Sequence, residues 1–176
     1  MLNIRNKKGL ATIVATIILI ALVMVIVASV WAIVNNFVKG GLEESGACFG
    51  IFEEVSLNSR YTCYNSGSNE SWFSISIGNI DVDEVLVGIS ADGTSVSFKI
   101  SKTPSEIDNL VMYPTRSPSI ILPSKNAGLT YIFNITGAGF SEAVNSISIA
   151  PIIRGTQCSI SDSMHEIERC STPPVT

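Results

Sequence analysis

Residues 10–34 read LATIVATIILIALVMVIVASVWAIV, without one charged side chain. Only Thr12, Thr16 and Ser29 interrupt the apolar run. A stretch of about 20 apolar residues spans a bilayer as a helix. In lipid the helix is the only single-segment solution, because every backbone N–H and C=O must find an internal partner. Valine and isoleucine are numerous and carry a small helix penalty in water, but transfer of their side chains into lipid outweighs it. The run therefore predicts an apolar helix over residues 10–40, with Asn35 and Asn36 at its wet end and Gly40-Gly41 as a hinge.

Three of the eleven basic residues, Arg5, Lys7 and Lys8, precede the run, and only Lys39 lies closely after it. The positive-inside rule keeps such an N-terminus in the cytoplasm and exports the remainder of the chain. An ordinary secretory signal has an apolar region of roughly 7–15 residues and a small-residue cleavage site, and this run is too long for that. A different site stands at Lys8-Gly9 before Leu10. Cutting after Gly9 removes the basic leader, residues 1–9, and leaves an apolar rod free to leave the bilayer for a bundle of like rods. Ala11 and Ala15, and Ala28 and Ala32, are four apart, with Ala21 seven before Ala28. Small residues at such spacings let helix backbones approach closely.

Lys8-Gly9 followed at once by this helix resembles the class III signal peptide of archaeal type IV pilins and archaellins. Ile13-Val14-Ala15-Thr16 before an Ile/Leu run is especially similar to archaeal pilins. Bacterial type IV pilins usually carry Glu at the fifth mature position, where this chain has Val14. The resemblance covers about the first 40 residues. It implies removal of the leader by a prepilin-peptidase-type membrane protease, and assembly of identical or related subunits by a secretion ATPase with a platform protein.

After Gly41 the pattern changes to short apolar runs and turn residues, the outer domain of residues 41–176. Strands are expected near residues 48–55, 60–64, 72–77, 84–90, 95–100, 119–122, 129–135 and 146–152. In Ser71–Ile77, Trp72, Ser74 and Ser76 alternate with Phe73, Ile75 and Ile77, the period of a half-buried strand. Ala91-Asp92-Gly93-Thr94 is a hairpin signal, and the prolines at 104, 114, 118 and 123 mark an irregular middle section. The fold class is thus α+β: one long N-terminal apolar helix, then a β-rich sandwich or partly open barrel.

Hydrophobic residues make up 46% of the chain and charged residues 15%, with a net charge of −4. Outside the leader, eight basic residues face fifteen acidic ones, a balance of −7. That sign argues against non-specific nucleic-acid binding, which needs clustered Lys and Arg. Cys48, Cys63, Cys158 and Cys170 all lie beyond the apolar segment, and none forms a Cys-x-x-Cys pair. An even count beyond an export segment points to disulfides. Four cysteines allow three pairings, of which Cys48–Cys63 with Cys158–Cys170 closes the shortest loops and is favoured.

No nucleophile elbow, Walker loop, dinucleotide fingerprint or zinc-protease motif is present, so no enzyme activity, cofactor or metal is expected. His165 beside Asp162 and Glu166 lacks further zinc ligands, and Asp81, Asp83 and Glu84 are too few for a calcium loop. Asn69-Glu70-Ser71 and Asn134-Ile135-Thr136 are glycosylation sequons. Asn69 falls in a loop, and Asn134 at a strand end where shielding is expected. The expected function is that of a pilin-like subunit of a cell-surface filament serving adhesion. A motility-filament subunit and a membrane-anchored binding module that never polymerises are the alternatives.

Overall fold

The computed structural model describes residues 7–48, 51, 53–91 and 93–170. The chain forms two compact units, one ending at Ser45 and the other starting at Gly46. The described residues of the first form one helix, α1, which spans Lys7–Ala47 and so ends two residues past the boundary. Its 41 residues correspond to a rod of about 60 Å. It does not break at Gly40-Gly41, where a hinge is expected, but continues to Ala47. Two glycines cost a helix only about 1 kcal/mol each, too little to end one already this long.

The described strands of the second unit pair with one another only antiparallel, and an isolated parallel bridge joins Tyr64 to Arg169. The strands are β1 (Val55–Leu57), β2 (Cys63–Asn65), β3 (Glu70–Ile77), β4 (Glu84–Ala91), β5 (Thr94–Ser101), β6 (Ser105–Glu106), β7 (Leu110–Met112), β8 (Ser119–Ile120), β9 (Ala127–Asn134), β10 (Ser146–Ile153), β11 (Thr156–Gln157) and β12 (Asp162–His165). One sheet has the order β1-β3-β9-β7, with β2 also on β3. The other runs β11-β10-β4-β5, with β12 also on β10. β6 and β8 form a small separate ladder.

The inner faces of the two large sheets share one core. In β4, Val85, Val87, Ile89 and Ala91 point inward at every second position, as a two-residue period requires. Phe98 of β5 stacks on Phe133 of β9, ring centroids 6.0 Å apart, and Phe73 of β3 stacks on Tyr131 at 5.2 Å. Burial pushes the Tyr131 phenol pKa upward, and its hydroxyl donates to the Ile121 carbonyl at 2.8 Å.

β3 departs from the half-buried expectation, because both of its faces are covered. Trp72 lies on the outer face yet is 6% exposed; Tyr113 covers it at 5.4 Å between ring centroids. Ser74 is buried beside Thr62, which comes directly after a single 3-10 turn, Ser59–Tyr61. That turn occupies the start of the expected strand at 60–64. The strand expected at residues 48–55 is also absent from the described residues before Val55.

All four cysteines are paired, but not within local loops. Cys48 bonds Cys158 and Cys63 bonds Cys170, spanning 110 and 107 residues. The favoured pairing is therefore corrected. The cause is the last segment of the chain, which returns alongside β2: Tyr64 N–H donates to the Glu168 carbonyl at 2.8 Å and Cys170 N–H to the Tyr64 carbonyl at 2.9 Å. This places Cys170 against Cys63, whereas Cys158, just after β11, meets Cys48.

Candidate functional site

The residues of the expected leader junction, Lys8, Gly9 and Leu10, have helical backbone, while leader residues 1–6 lie outside the described residues. Between Ile13 and Asn36 the most apolar 18 residues have a mean hydropathy of 3.2, and none of them is buried. By length and composition the helix suffices to cross a membrane. Large apolar side chains stand exposed on every side: Ile17, Ile18, Leu19 and Ile20, at successive steps of about 100° around the helix, are all more than half open. The two hydroxyls within the span do not look outward for partners. Thr16 Oγ1 donates to the Ile13 carbonyl and Ser29 Oγ to the Val25 carbonyl, both at 2.8 Å. Such back-bonding satisfies each hydroxyl within its own helix.

Ala15, Ala21, Ala28 and Ala32 are all exposed. At about 100° per residue, Ala21, Ala28 and Ala32 fall within about 40° of one another and form one stripe. Ala15 lies about 120° around the helix from Ala21, so the alanines do not make a single straight seam. Ala11 has helical backbone.

Several charged residues of the β unit pair with one another. Arg116 grips Glu70 with two parallel bonds, Nη1 to Oε1 at 2.7 Å and Nη2 to Oε2 at 2.9 Å. Those bonds hold the Glu70 carboxyl below its usual pKa, with smaller help from Ser68 and Trp72. Of the three acids weighed as a calcium loop, Asp81 and Asp83 pair with Lys102, and Glu84 pairs with Lys99 at 3.6 Å. His165 is exposed at the end of β12, opposite Ser146. Among the described residues no group of three or more His, Cys, Asp or Glu is placed to hold a metal ion.

The two sequons, far apart in sequence, meet in space. Glu70 pairs with Asn134 across β3 and β9, and Ile135 N–H donates to the Asn69 carbonyl at 3.1 Å. Asn69 is exposed in the β2–β3 turn with φ +52°. Asn134 is exposed as well, against the expected shielding, because β9 ends there and its side chain turns back to accept Gly137 N–H at 2.9 Å. The sequence held both tripeptides but no sign of their adjacency, which depends on strand register. No family model, curated protein or solved structure matches this chain.

Proposed function

We propose that the chain is a pilin-like subunit of an archaeal type IV pilus-like filament. The leader is cleaved after Gly9, the apolar helix passes from the membrane into a filament core, and the disulfide-bonded β unit forms the outer surface and serves attachment. The observation that carries this reading is the unburied apolar surface around the whole of residues 13–36. A helix apolar all round must be surrounded, by lipid or by other helices, and exchanging lipid for neighbouring helices alters little hydrophobic energy. Back-bonded hydroxyls and the stripe of Ala21, Ala28 and Ala32 make that exchange inexpensive. Two disulfides in the outer unit favour an oxidising, extracellular compartment.

On this reading the partners are copies of the chain or related pilins, the membrane before assembly, and a prepilin-peptidase-type protease with an ATPase and platform protein. The test is the N-terminus of protein recovered from the native cell surface, by intact mass. A start at Leu10 is expected. Mature surface protein that retains Met1–Gly9 would sink the reading and leave an anchored ectodomain.

A further inference from the structure

β5 is an eight-residue edge strand. Its ladder with β4 is regular from Ala91↔Thr94 to Glu84↔Ser101. Lys102 N–H donates to the Asp83 carbonyl, whereas the Ser101 carbonyl accepts Leu122 N–H from the opposite side. Alternation along an antiparallel strand therefore points the backbone groups of Ser95, Ser97 and Lys99 away from β4. Among the described residues nothing bonds them.

The other sheet edges are closed or short. Asp162 caps β1 at Leu57, residues 168–170 line β2, and Ser117 bonds Met112 on β7. β11 and β12 have two and four residues. A long open edge is a template for strand addition. Here it also leaves Val96 and Phe98, which face the core, only partly buried.

We infer that β5 is a self-association edge, and that its occupant is β5 of a second copy of this chain, antiparallel about a two-fold axis at Ser97. The sequence Ser95-Val96-Ser97-Phe98-Lys99 suits that register. Ser97 faces Ser97, Val96 faces Phe98 on the core side, and each Lys99 faces Ser95 rather than another lysine. A lysine on an edge normally deters pairing, but Glu84 of the adjacent strand already compensates Lys99. A two-fold contact closes on itself, so it does not build a polar filament. It joins two subunits, or two filaments side by side, and it stands whether or not the filament reading holds.

The experiment uses the full chain in detergent micelles under mild oxidation. Ser97→Cys is expected to give a covalent dimer, because paired Cα atoms of a hydrogen-bonded antiparallel pair lie about 5.5 Å apart, within disulfide reach. Ser95→Cys alone should not crosslink, but mixed with Lys99→Cys it should. Ser124→Cys, on an exposed loop, is the control and should stay monomeric. Adding Val96→Pro would disturb the β4 ladder, so the disruptive variant is Ser95→Pro, which removes only an outward N–H; combined with Ser97→Cys it should abolish the crosslink. Equal crosslinking at Ser97 and Ser124, no dimer at Ser97, or a dimer that survives Ser95→Pro would overturn the proposal.

Discussion

The carboxylate of Asp162 accepts the backbone N–H of Leu57 at 2.8 Å, across 105 residues of sequence. Leu57 ends β1 on one sheet and Asp162 begins β12 on the other, so this bond ties the two sheets at their margins. The second carboxylate oxygen accepts Ser163 N–H at 2.8 Å, which fixes the side chain. Asp162→Ala strands a donor on a buried residue and should cost about 1–3 kcal/mol. Asp162→Asn keeps an acceptor oxygen and should lose less. Denaturant midpoints of the two variants check the order.

The Glu70–Arg116 pair makes stability depend on pH. Glu70 has its folded pKa lowered from the ordinary 4.5. Its contribution is therefore present above the unfolded value and lost as pH falls through the lower folded value. With Arg116 more than half exposed, the contribution is about 1 kcal/mol. Arg116→Gln should be less stable than the parent at neutral pH, and the gap should close in acid. A gap constant down through the lowered pKa would refute this.

Ser71 Oγ is buried and has no hydrogen-bond partner among the described residues. Replacing an unsatisfied buried hydroxyl removes a desolvation cost. Ser71→Ala, made in a host that adds no glycans, should raise stability by about 1 kcal/mol. Thermal denaturation beside the parent is the measurement.

Proteolysis without reduction, then mass spectrometry, should recover Cys48 linked to Cys158 and Cys63 linked to Cys170. Each bond closes more than a hundred residues. Removing one as a pair of serines should cost about 2–4 kcal/mol. A peptide joining Cys48 to Cys63 would contradict the fold of the last segment.

The alanine stripe predicts a position-specific effect in the helix. Ala28→Ile should weaken self-association in micelles by roughly 1 kcal/mol, about fivefold. Val27→Ile, about 100° around the helix, should change it little. Equal effects at the two positions would mean that the stripe plays no special part in helix association.

The helix was legible because its signal is local: no charge from Leu10 to Val34 leaves one solution in lipid. The alternation at Ser71–Ile77 likewise marked β3, and the Asp-Gly pair marked the β4–β5 hairpin. β12 was not legible, since Asp162-Ser163-Met164-His165 carries one apolar side chain and is a strand only because β10 pairs with it. The same holds for β7, three residues held on β9. Disulfide pairing, the meeting of Asn69 with Asn134 and the open side of β5 all depend on which strands become neighbours. No short window of sequence contains that information.

The Cys48–Cys158 bond also sets how the protein responds to load. Cys48 comes directly after the last helical residue, Ala47. A pull arriving along the helix crosses the disulfide at once and re-enters the chain at Cys158, bypassing the strands between. From there to Cys170 only about a dozen residues can straighten, a give of roughly 40 Å. Without the bond, the load would run from Cys48 to Cys63 and cross the second disulfide to Cys170, so that about fifteen residues, β1 among them, would straighten by roughly 50 Å. The first bond thus decides which margin of the β unit yields to tension from the helix: β12 peels from β10 while it stands, and β1 is drawn out where it is broken.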